Sequence, residues 1–135
     1  MIQITEEMAH EEVQKWLNHR GVRQSKRDAL QNSIDSLIEE FADGTLRLDE
    51  DFNIHQTLRF PLKNENGDIT LSSLKYNSRA RQNQINLAMS NVKANNGLGM
   101  ITAYISALTG VVKGLVDSMD TEDHKVGQII ASFFF

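Results

Sequence analysis

The 135-residue chain has no cysteine, so it can build neither a disulfide framework nor a thiolate metal site. It has a single proline, Pro61. No apolar run approaches the ~20 residues that a membrane-spanning helix needs. The first residues, MIQITEEMAHEE, are acidic and lack the apolar core of a signal peptide. There is no internal repeat, low-complexity segment, nucleophile motif or glycine-rich phosphate loop. Nor is there an excess of positive charge: the net charge of −4 argues against non-specific nucleic-acid binding by the whole surface. A location in the cytoplasm, with no membrane and no cofactor, fits these absences.

What is present is the composition of a folded protein, 40% apolar and 24% charged. Charge is uneven. Residues 1–50 carry eleven acids against six Lys/Arg, and the remainder carries seven against eight. Apolar spacing divides the chain into three regions of one domain. Residues 1–44 read as a helical pair. Thr5 caps a first helix to about His19, with Met8, Val13, Trp16 and Leu17 as its stripe. A second helix spans Lys26–Ala42. Ser25 and Asp28 form its capping box, Leu30, Ile34, Leu37, Ile38 and Phe41 share one face, and Gly44 is the stop.

Residues 45–77 change to period two. Phe52, Ile54, Gln56, Leu58, Phe60 and Leu62 alternate with polar residues as a strand, and Pro61 marks it as an edge strand. Asn66-Gly67 turns the chain into a return strand, Ile69–Tyr76, and Thr45–Leu48 offers a short third strand. Residues 78–135 are helical again. Ile85, Ala88, Met89 and Val92 share a face, and Gly97-Leu98-Gly99 reads as a helix–helix linker. Ile101, Tyr104, Ile105, Leu108 and Ile129 are expected in the core. Asp120 caps the last helix, with Asp123 completing a capping box. The fold expected is α+β: an N-terminal helical hairpin, a central antiparallel β-hairpin or small sheet, and a C-terminal helical bundle.

No catalytic set emerges. His10, His19, His55 and His124 fall on different elements. Glu6 and His10 stand at i, i+4, but without a third ligand they read as an exposed helix pair. The basic run His19–Arg27 reads as a loop balanced by acidic helices. A base-reading helix needs more positive charge than the second helix has beyond Arg27. The surplus is apolar: Phe133-Phe134-Phe135 cannot all point inward from a helix end. They either fold back onto the domain, meet a partner, or precede further chain.

The second half resembles the phage tail assembly chaperones. The residues that carry the resemblance are Thr57-Leu58-Arg59-Phe60-Pro61-Leu62, Gly67 and the return Ile69–Leu74. They continue through the helix end Leu108-Thr109-Gly110, the segment Val112–Asp123 and the ending Ile130–Phe134. The resemblance implies a non-catalytic protein of the host cell cytoplasm. It would coat the apolar helical stretches of a tape measure protein, help recruit tail tube subunits and leave before the tail is complete. It also implies a longer frameshifted form in many members, for which the phenylalanine run would be a suitable site. A permanent tail or baseplate adaptor, or a small nucleic-acid-binding regulator using Arg20–Arg27, are the other readings; nucleic acid is not the expected partner, and self-association stays open. The expected partner-binding residues are Val111, Val112, Leu115, Met119, Phe133, Phe134 and Phe135.

Overall fold

The structure, a computed structural model, describes residues 2–135. Helix α1 (Glu6–Arg20) starts where expected: the Thr5 hydroxyl accepts from the Met8 N–H, and Glu6 and Glu7 occupy the positive end of the helix dipole. It stops at Gly21, which takes a left-handed φ of 67°. Its buried stripe is Ala9, Val13, Trp16 and Leu17; Met8, placed there by the sequence reading, is instead exposed.

The single second helix expected over Lys26–Ala42 is two. Helix α2 (Gln24–Ala29) and helix α3 (Gln31–Asp43) meet at a break on Leu30. Ser25 is inside α2 and caps nothing; Arg23 is the N-cap residue, and no side chain caps it. The break lets α2 fold back on α1, where Arg27 donates to the Val22 carbonyl and to the side chains of Gln14 and Asn18. Helix α3 buries Ile34, Leu37, Ile38 and Phe41 and packs against α1. It ends on Gly44, which has a φ of 83° and the backbone of Ile2 lying directly over it.

Strands β1 (Leu46–Leu48), β2 (Ile54–Lys63) and β3 (Ile69–Tyr76) form an antiparallel sheet in the order β1-β2-β3. β2 is therefore the central strand and not the edge that Pro61 suggested. The proline is tolerated because β1 ends early and the β2–β3 register is irregular between Thr57 and Leu62. Buried Asp123 fills that irregularity. Its carboxylate accepts from the backbone N–H groups of Arg59 and Phe60, at 2.9 and 3.0 Å. Beyond it the hairpin projects with Phe60 and Ile69 exposed. At its tip the Asn64 side chain accepts from the Asn66 and Asp68 N–H groups, and Gly67 has a φ of 82°.

The β1–β2 turn holds Phe52 at a φ of 63°, a strained value for a residue with a side chain. The ring stacks flat on His19 at 4.1 Å, which helps hold it there. Asp49 organises the same turn. Desolvation pushes its carboxyl up, but hydrogen bonds from His55 and from the Asn53 and Asp51 N–H groups outweigh this and hold it at about 2. A folded value below the unfolded one stabilises fully above the normal carboxylate range of about pH 4 and is lost as pH falls through about 2. After screening by solvent the contribution is about 1 kcal/mol. In urea titrations Asp49→Asn should trail the natural protein by that amount near pH 6, and the gap should close towards pH 2. A gap that stays constant with pH contradicts this.

Helices α4 (Gln82–Met89), α5 (Gly97–Thr109), α6 (Lys113–Asp117) and α7 (Thr121–Ala131) complete the chain. Gly97-Leu98-Gly99 is not a linker. It is the first turn of α5, because the Asn96 side chain caps it by accepting from the Gly99 N–H. Asp120 caps α7 as expected, accepting from the Glu122 N–H. Asp123 takes no part in a capping box, since its carboxylate is committed to β2. Its backbone carbonyl accepts from Gln56, whose own side-chain oxygen accepts from the buried Tyr76 hydroxyl. This chain of bonds locks α7 onto the sheet. Gly127 permits the close fit, since a Cβ there would lie 2.8 Å from the Tyr76 oxygen. Burial first, and the negative Asp123 second, push the Tyr76 hydroxyl pKa strongly up, so it stays a donor. Buried residues of α1, α3, the sheet, α5 and α7 form one apolar cluster.

Candidate partner-binding surface

The three terminal phenylalanines have three different environments. Phe133 continues the Val126–Ile130 stripe of α7 and is 2% exposed, edge-on to Trp16 at 5.5 Å. Phe134 is half-buried beneath the guanidinium of Arg20, which lies 3.5 Å from its ring centre. Phe135 is 57% exposed and leans on Tyr104 at 4.8 Å. The backbone of the tail is held from α1 and α2. Arg20 donates to the carbonyls of Ser78 and Phe133, and Lys26 donates to that of Phe135. The basic run read as a loop is thus the clasp of the C-terminal segment.

The seven residues expected at a partner surface do not lie together. Phe133 and Met119 take core positions: both are largely buried and pack into the apolar cluster, which leaves little of either side chain for a partner. Val111 is half-buried against that cluster, and Leu115 is half-buried on α6. Val112 is 65% exposed, but it follows the C-terminal end of α5. The α5 residues beside Phe135, from Gly97 to Tyr104, lie further back along that helix, roughly 8–18 Å from its C-terminal end at 1.5 Å per residue. Of the residues assigned to core, Ile105 and Leu108 are buried, while Ile101, Tyr104 and Ile129 are half-buried.

Half-burial of Ile101 and Tyr104 has a local cause. With Gly97 and Met100 they stand at i, i+3, i+4 and i+7 on α5, and Phe135 rises opposite them. The result is an almost wholly apolar cleft of about 320 Å³. Gly97 leaves one end of it open. The phenylalanine run signalled this site in the sequence; the α5 residues did not, because an apolar helical stripe reads equally well as core.

A polar neighbour adjoins it. Tyr104 is also a wall of a smaller cleft of about 170 Å³ whose other lining residues include Arg20, Arg79, Gln82 and Phe134. Burial first, and the charge of Arg79 second, hold the Arg20 guanidinium down at about 10. Among the described residues, no Asp or Glu side chain pairs with Arg20 or Arg79. The Arg20 Nε is buried without a hydrogen-bond partner. Lys26 is likewise pushed down by burial and then by Arg20.

A second apolar groove, of about 540 Å³, lies across the molecule's N-terminal part between Ile2, Ile4, Met8, Phe41, Leu46 and Leu48. The histidines stay apart: His124 sits between Thr102 and Gln128, its pKa lowered by burial against a smaller opposing effect of Asp117. Among the described residues, no group of three or more His, Asp or Glu side chains is placed to hold a metal ion. Comparison with protein-family models, with curated proteins and with solved structures gives no match.

Proposed function

We propose that the chain is a non-catalytic assembly chaperone of the phage tail kind. In this reading it shields apolar helical stretches of a tape measure protein in the host cell cytoplasm and helps bring tail tube subunits to them. The observation that supports it is the open apolar cleft between α5 and Phe135. Its walls repeat at helical spacing and can receive the i, i+3, i+4, i+7 anchors of a partner helix. Each contact is small, which suits a protein that must later be released, and many copies along one long partner gain strength by avidity.

The test is titration of the full chain with an amphipathic helical peptide of about 20 residues bearing leucine anchors. Binding is expected, and Phe135→Ser should weaken it about tenfold with an unchanged circular dichroism spectrum. No binding, or binding indifferent to Phe135, contradicts the cleft. In infected cells the protein should be missing from finished particles; its presence there would favour a permanent tail or baseplate part.

A further inference from the structure

The apolar cleft and the cationic cleft share Tyr104 as a common wall. We infer that the partner segment carries a carboxylate beside its apolar anchors, and that Arg79 with Arg20 receives it. This inference rests on the binding function proposed above and specifies the chemistry of the partner.

The reasoning is one of uncompensated charge. Arg20 and Arg79 line the same small cleft, where burial first and the charge of Arg79 second disfavour the Arg20 guanidinium, and among the described residues neither pairs with an Asp or Glu side chain. Two guanidinium groups brought together without a counter-ion cost stability, and an oxyanion between them removes that cost. Arg20 cannot move away, because Ser78, Phe133 and the Phe134 ring hold it. Arg79 is free to rotate: its side chain is exposed, and its hydrogen bond to the His19 carbonyl is long, at 3.4 Å. One group therefore fixes the site and the other closes on the ligand. On a helix seated in the apolar cleft, a residue one turn beyond the anchors is displaced by about 5.4 Å, roughly the width of an aromatic wall. A Glu or Asp at that place reaches across Tyr104. Among the described residues, no Asp or Glu of this chain lines either cleft.

The experiment is fluorescence anisotropy with two labelled peptides of about 20 residues. They have identical leucine anchors and differ only in Glu or Gln one turn beyond. The Glu peptide should bind about tenfold tighter at low salt, and the difference should fade near 0.5 M salt. Arg79→Gln should abolish the difference, and Arg79→Glu should transfer the preference to a third peptide with Lys at that position. Equal binding of the Glu and Gln peptides overturns the inference and leaves the proposed function standing. Binding of neither peptide overturns both. A preference for Glu that survives Arg79→Gln shows that this cleft is not its source and also overturns the inference.

Discussion

Asp123→Ala should cost about 3 kcal/mol of folding stability, an unusual loss for an acid on a helix's first turn. The side chain is 2% exposed, and its two oxygens serve the adjacent N–H groups of Arg59 and Phe60. Those donors lie where the β2–β3 register slips, so β3 offers them no acceptor. Alanine leaves both unsatisfied and removes a negative charge from the positive end of α7. Asp123→Asn keeps one acceptor and should fall between the two. Glu122→Ala, one residue earlier and exposed, should change stability by less than about 0.5 kcal/mol. Urea midpoints of the three variants check the ordering. An Asp123→Ala midpoint close to that of Glu122→Ala would show that the carboxylate does not hold the strand.

The tail should divide just as sharply. Phe133→Ala should destabilise by about 3–5 kcal/mol, because it empties the space against Trp16 at the end of the α7 stripe. Phe135→Ala should stay within about 0.5 kcal/mol, since more than half of that side chain already meets water. Phe134→Ala should lie between, losing its contact with Arg20 but little core volume. Thermal or urea unfolding of the three single variants gives the ranking directly. Similar losses at all three positions would contradict the graded docking.

These two results mark what the sequence could and could not disclose. Thr5, Gly21, Gly44, Asp120 and the Asn66-Gly67 turn act where local chemistry places them, because a cap or a tight turn is decided within a few residues. The short strand at Leu46–Leu48 was also legible from its register change. The break at Leu30 was not, since it serves the contacts of Arg27 with α1, and nothing in the Lys26–Ala42 stripe encodes them. Asp123 was misread for the same reason. Its spacing from Asp120 matches a capping box, and only the fold reveals that β2 passes close by with two free donors. In the tail, three identical side chains gave no hint of their order of burial. That order follows from where α7 points Phe133 and from the distant Arg20 and Tyr104. Local signals located the elements; long-range contacts decided which apolar residues remained available to a partner.

Whether the α5–Phe135 cleft is the docking surface can be read from methyl chemical shifts of the full chain titrated with the leucine-anchored peptide. Resonances of Ile101 and Met100 should move, with those of Val112 and of Ile4, Leu46 and Leu48 unchanged. Shifts confined to Ile4, Leu46 and Leu48 would place binding in the N-terminal groove, and no shifts at any of these positions would remove the case for a helix-binding protein.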